Sequence, residues 1–176
     1  MSDIIPWSKT TFLKWSDFEA DPNPAIFEDA SVTVRYRIIW MIGSEKIKDQ
    51  IQFFIEDIKM VTEFYPALSW VRDMYATDKL LHHEQGHFDL VELLREEITA
   101  SMSKAFHGKM YPVMGKNEEQ RKQFAKEHSA LLLDDELKNW QPYVDKRQSE
   151  YDAHTDFGEN AKAQSNYDVR FAKLRQ

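Results

Sequence analysis

The sequence predicts an α+β fold, a small N-terminal antiparallel sheet followed by a helical region, and two observations carry that expectation. Residues 31–43, SVTVRYRIIWMIG, alternate Val32, Val34, Tyr36 and Ile38 against Thr33, Arg35 and Arg37. That is the period-two pattern of a strand with one buried face. From Thr77 onward the pattern changes: Leu80, Leu90, Val91, Leu94 and Ile98 recur with the 3.6-residue period of a helix. Strands first and helices after, with short connections between the strands, argue for an antiparallel sheet and against repeated strand–helix–strand units.

Taken in order, the opening WSKTTFLKWSDFEADPNP sets Trp7, Phe12, Trp15 and Phe18 among polar residues, and Asp21, Pro22, Asn23 and Pro24 break it with a turn. After the first strand, IKDQIQFFIEDIKMV fits either period and is read as a strand for its β-branched and aromatic middle. Thr77 or Asp78 suits the N-cap of the first helix, which is expected to fade near Ser103, ahead of His107 and Gly108. A loop through Tyr111, Pro112 and Gly115 leads to a second helix, starting near Asn117 and running through EEQRKQFAKEHSALLLDDELKNW. Pro142 is expected to open a third helix, since proline fits a first helical turn. Gly158 is expected to end it, and ENAKAQSNYDVRFAKL closes the chain as another helix. The charge runs DDELK and NEEQRK read as solvated helix faces.

A chain of 176 residues, 42% hydrophobic and 30% charged, suits one soluble domain spanning 1–176. Five Trp, seven Tyr and eleven Phe allow a well-filled core. The net charge of −7 argues against nucleic acid as a partner, because phosphates need a basic patch. With no cysteine, disulfides, thiolate catalysis and cysteine-based zinc sites drop out. No apolar run has the length of a membrane helix. The start, MSDIIPWSKT, lacks the basic and apolar regions of a signal peptide.

The segment LLHHEQGHFDL, Leu80 to Leu90, holds three histidines and a glutamate between leucines. His83, Glu84 and His87 form the HExxH arrangement. Histidines at i and i+4 lie one above the other on a helix, so both imidazoles can hold one zinc ion. Glu84, about 100° round the helix from His83, sits near the metal without serving as a ligand. There it can take a proton from a water that the metal acidifies. Helix phase puts His83, Glu84 and His87 on the arc of Leu80, Leu90, Val91 and Leu94, facing inward, where unpaired ionisable groups are costly. His82, Gln85 and Asp89 fall on the opposite arc and are expected to face solvent. The plain alternative is a pair of core histidines satisfied by hydrogen bonds; two in register with a glutamate between them favour the metal.

A catalytic zinc needs a third protein ligand, and the next turn of the same helix offers only Leu90, Val91 and Leu94. His107 lies in an expected loop and His128 in the second helix. His154 is favoured, because on a helix opened by Pro142 it shares a face with Tyr143, Val144, Arg147 and Tyr151. Tyr151, one turn earlier, is a candidate hydrogen-bond donor to an oxyanion, although a buried tyrosine is more often structural.

These residues resemble a known family, the bacterial "domain of unknown function 922" proteins, described as secreted zinc-dependent proteases, and the resemblance covers nearly the whole chain. The opening segment resembles the family's tryptophan, LTWSDF and proline-containing start, and Ser69, Trp70 and Val71 resemble a stretch ahead of the zinc helix. LLHHEQGHFDL is close to the family's LLxHEQGHFDI, the most specific match; Asp89 belongs to that pattern. YDAHTDFGENAKAQSNY resembles a segment running YDxxTxHG, then a glutamine and an aromatic, but Phe157 stands where the family carries histidine. The resemblance implies a zincin-like α+β metalloprotease acting on protein or peptide substrates. In it His83 and His87 bind Zn2+, His154 completes the site, and Glu84 acts as general base and then as proton donor to the leaving amine. It implies a secreted or periplasmic location; the absence of a signal in this chain leaves the cytoplasm open. Two other readings stand beside it: a catalytically degenerate zincin serving as a binding or scaffold protein, and a zinc amidase acting on cell-wall peptides.

Overall fold

A computed structural model describes residues 3–176 and shows the α+β arrangement, an N-terminal antiparallel sheet followed by helices. The strands are β1 (Ile5–Pro6), β2 (Ala30–Ser31), β3 (Val34–Ile47), β4 (Gln50–Phe64), β5 (Trp70–Val71) and β6 (Tyr111–Pro112). The helices are α1 (Asp78–Phe106), α2 (Glu118–Thr155) and α3 (Ala161–Leu174). One sheet has the order β1-β4-β3, with β6 also paired to β4; β2 and β5 form a separate antiparallel pair. Among the described residues no helix is long and apolar enough to cross a membrane.

β3 and β4 form a hairpin whose two connecting residues, Lys48 (φ 48°) and Asp49 (φ 64°), are both left-handed, as a tight turn matched to the strand twist requires. β4 explains why its sequence fits neither period cleanly. Phe53 and Ile55 are buried, then Ile58, Met60, Thr62 and Phe64, so the buried set moves from odd to even positions. Asp57, at φ 51°, is the extra residue between the two runs. A single inserted residue reverses the alternation while the same face stays buried, which is the effect of a bulge.

The chain divides into two compact units. The first comprises the chain up to Arg37, Val61–Arg95 and Val144–Gln176; the second comprises Ile38–Met60 and Glu96–Tyr143. In the second, Phe53 of β4 stacks on Tyr111 of β6 at 5.2 Å, and the Trp40 indole donates to Ser129 Oγ at 3.0 Å. In the first, Leu13, Phe18, Phe64 and Phe88 form one core cluster, and Leu90, Tyr151 and Phe171 another.

The first unit overturns one expectation about α1. His82 is exposed, but Gln85 and Asp89 are buried. The N-terminal segment covers that face: Leu13 N–H donates to Gln85 Oε1 at 2.7 Å, and the Trp7 indole donates to Asp89 Oδ1 at 2.8 Å. Arg175, next to the last residue, completes the clasp. Its guanidinium pairs with Asp89 at 2.5 Å, donates to the carbonyls of Ser8, Lys9 and Thr11, and lies over the rings of Trp7 and Phe12. With the N-terminal segment lying over that side, Gln85 and Asp89 face chain, while exposed His82 keeps the solvent.

Pro142 likewise does not open a helix. α2 runs unbroken through it for 38 residues. An interior proline removes one helical hydrogen bond, at about 3 kcal/mol, yet buried Leu133 before it and buried Val144 after it hold the two stretches in place. α2 stops at Thr155, where Asp156 (φ 50°), Phe157 (φ 51°) and Gly158 (φ 87°) turn left-handed in succession. Asn160 then caps α3, its side chain accepting from Ala163 N–H at 3.1 Å.

Candidate metal centre

α1 starts where a cap is available, with Thr77 Oγ1 accepting from Leu80 N–H at 3.2 Å. Two turns in, His83 and Glu84 are buried at 2% and 5% exposure, and the His87 side chain is 12% exposed. The inward phase of this trio is therefore as expected. The two imidazoles approach edge to face with centroids 4.9 Å apart. Both Nε2 atoms point at one carboxylate oxygen, Asp152 Oδ1, at 3.1 Å from His83 and 2.8 Å from His87. The three ligand atoms lie within 4.8 Å of one another, a group that could hold a metal ion.

The third member is thus Asp152 on α2, where the sequence, weighed among histidines alone, favoured His154. His154 is exposed, its Nδ1 2.9 Å from the Tyr167 hydroxyl, and it lies outside the group. The helix explains the difference: a step of two residues is about 200° round the axis, so Asp152 and His154 face opposite ways. Phe157 is 54% exposed in the turn after α2.

Each imidazole is also held from behind. His87 Nδ1 is 2.7 Å from Gln148 Oε1, and the same glutamine's amide donates to the His87 carbonyl at 3.3 Å. His83 Nδ1 is 3.4 Å from both Gln164 Oε1 and Thr155 Oγ1. Such outer partners aim the metal-binding nitrogen and are as much a part of a metal site as the ligands.

Tyr151 does not sit where a substrate would meet it. It is fully buried, stacked on the His83 ring at 4.7 Å and 8°, and its hydroxyl lies 3.1 Å from the His83 carbonyl and 3.0 Å from Gln164 Oε1. Gly86 makes that packing possible, since a Cβ there would stand 1.9 Å from the tyrosine hydroxyl. Gly158 has a similar duty: beyond its positive φ, a Cβ would come within 2.9 Å of His83 Cβ. The glycine between the two histidines and the glycine after α2 are the functional positions that residue chemistry alone does not reveal.

The electrostatics match the geometry. Burial pushes Asp152 up, but the bonds and charges of His83 and His87 outweigh it and hold the carboxyl well below the usual range. Burial pushes His87 down, yet the bond to Asp152 and the charges of Glu84 and Asp152 leave it raised. Glu84 is raised by burial, against the opposing pull of His87 and His83.

No family model, curated protein or solved structure matches this chain.

The donor set itself tests what the site can take. Two imidazole nitrogens, each steadied from behind, and one carboxylate oxygen suit a divalent cation and leave coordination positions open. Glu84 lies beside that group without belonging to it.

Proposed function

We propose that this chain is a zinc-dependent, zincin-like hydrolase that cleaves peptide bonds, in line with its resemblance to the domain of unknown function 922 family. His83, His87 and Asp152 hold the metal. The observation that carries the reading is Glu84: a buried carboxyl, raised by its burial, next to the three ligands and not one of them. A bound zinc ion would polarise a substrate carbonyl and acidify a water molecule. Glu84 takes that water's proton, and its raised affinity for protons suits it to hand the proton on to the leaving amine. Asp152, kept ionised by the two histidines, contributes the negative charge that balances the cation.

The same two-histidine, one-carboxylate set also suits ferrous iron. A buried base beside the ligands is what favours hydrolysis, and metal content of the purified protein separates the two. Glu84→Gln is the decisive variant. Zinc should remain bound, by metal analysis after dialysis, while hydrolysis of casein or of peptidoglycan-derived peptides falls by roughly 10²- to 10⁴-fold. Which of the two substrate classes the parent cleaves divides a protease from a cell-wall amidase. A variant as active as the parent would refute the role given to Glu84.

A further inference from the structure

We infer that Asp168 of α3 is a positioning residue for the metal centre: acting through Gln164, it places the His83 proton on Nδ1 and leaves Nε2 as the metal-binding atom. The inference rests on the reading of His83 as a ligand.

The orientation of each group follows from which of its neighbours can only accept. Gln164, 7% exposed, offers its amide nitrogen to Asp168 Oδ1 at 3.1 Å and to the Tyr151 hydroxyl oxygen at 2.8 Å. An ionised carboxylate has no proton to give, so the end of Gln164 that faces Asp168 must be the NH₂. The other end, Oε1, is then turned toward His83 Nδ1, 3.4 Å away, and an oxygen there requires Nδ1–H. The Tyr151 hydroxyl accepts from Gln164, so its own proton goes to the His83 carbonyl at 3.1 Å, which closes the circuit with no donor facing a donor.

Thr155 points the same way. Its hydroxyl proton is committed to the Tyr151 carbonyl at 2.7 Å, so toward His83 Nδ1, at 3.4 Å, it presents a lone pair. Turning the Gln164 amide over would bring its oxygen against the Asp168 carboxylate and its NH₂ toward His83 Nδ1, where it would call for the other tautomer. Asp168 makes that arrangement unfavourable. His87 needs no such outside help, because Gln148 is oriented by the His87 carbonyl itself. The control over His83 reaches through two side chains to a different helix.

The test is a double-mutant cycle read as zinc affinity, by competition with a chromophoric chelator. Asp168→Leu should weaken zinc roughly tenfold or more, within the range for outer partners of metal ligands. In a Gln164→Glu background the same substitution should cost nothing, because both oxygens of the introduced carboxylate accept and no orientation is needed. The exposed His82–Asp168 pair, 2.9 Å apart, is lost in either background, so it cancels in the comparison. An equal loss in both backgrounds would make Asp168 merely structural and overturn the inference.

A metal-free arm keeps the matter independent of zinc. Asp152→Ala removes the acceptor at His83 Nε2, and imidazole ¹⁵N shifts of that variant should show neutral His83 protonated on Nδ1. Adding Asp168→Leu should move His83 toward a mixture of tautomers; an unchanged spectrum would overturn the inference. A parent protein that binds no zinc would count against the proposed function, while this arm still decides the role of Asp168.

Discussion

His83 and His87 of α1 and His128 of α2 stand in opposite surroundings. His83 and His87, in the first unit, have an oxygen against each ring nitrogen: Asp152 on one side, glutamine or threonine on the other. His128, in the second unit, lies among the rings of Phe53, Tyr111 and Phe124, with centroids 5.3–6.0 Å away, and its buried Nδ1 has no hydrogen-bond partner. All three sit on helices at positions a periodicity argument can turn inward. What separates them is the second nitrogen. A ligand imidazole needs an acceptor behind it and convergent donors in front, whereas a packing imidazole needs only neighbours of the right shape. The first environment is polar and closed, so removing a partner is costly; the second is apolar, so removing the polar atom is cheap.

That contrast can be broken at several points, starting where the cost is greatest. Asp89→Ala strips the buried carboxylate that Trp7, Gln85 and Arg175 share. Leaving a partly buried guanidinium without its counter-charge should cost about 3 kcal/mol in urea unfolding, the low end of the range because three backbone carbonyls still accept from Arg175. A loss under about 1 kcal/mol, the usual size of an exposed pair, would show that the N-terminal segment is held by its apolar contacts alone.

The ligand group should give opposite pH responses with and without metal. His87 is raised above 6.5, so its pairing with Asp152 stabilises the metal-free fold fully below that value and fades as pH rises through the higher folded pKa. Asp152 is depressed below 3.8, so its contribution is present above that value and is lost as pH falls further. The metal-free pair is therefore most favourable between 3.8 and 6.5. Zinc needs neutral imidazoles, so its protection should grow on going from about pH 5 to about pH 8, approaching about 2.7 kcal/mol at a hundredfold excess over Kd. Thermal melts with and without zinc across that range check the sign.

Gly86→Ala tests how tightly the polar region is packed. Alanine gains up to about 1 kcal/mol in helix propensity, but its Cβ would meet the fully buried Tyr151 hydroxyl at 1.9 Å. Overpacking of about 1–3 kcal/mol should win, and displacement of the ring from His83 should weaken zinc as well. Smallest of all, His128→Leu replaces an imidazole whose Nδ1 is unpaired by an apolar side chain of similar size, and stability should change by less than about 1 kcal/mol with zinc affinity unaltered. A loss of zinc in that variant would erase the distinction between the two regions.

Much of the fold was legible because its signals are local. The face of β3 follows from the alternation of Val34, Tyr36 and Ile38; the start of α1 follows from Thr77; the inward turn of His83, Glu84 and His87 follows from helix phase. α3 was legible in ENAKAQSNYDVRFAKL, and the structure adds the cap at Asn160. β4 resisted because a bulge at Asp57 reverses the alternation part-way, and no composition announces a bulge.

The sequence by itself determined the two long strands, the helix α1 and which two histidines and glutamate share its inner face, because 3.6- and 2-residue periods are properties of the backbone; the short strands and the continuity of α2 through Pro142 it did not. It could not choose the third ligand. With thirty acidic residues in the chain, nothing local singles out Asp152, and His154 was the rarer and more conspicuous residue type. Only the packing of the end of α2 against α1, through Tyr151 seated on Gly86, decides which face of α2 meets His83 and His87. The burial of Gln85 and Asp89 was decided in the same way, by a segment more than seventy residues distant in the chain. Proximity between parts of the chain far apart in sequence is set by the whole core at once, and a side chain's partners become defined only when that core has formed.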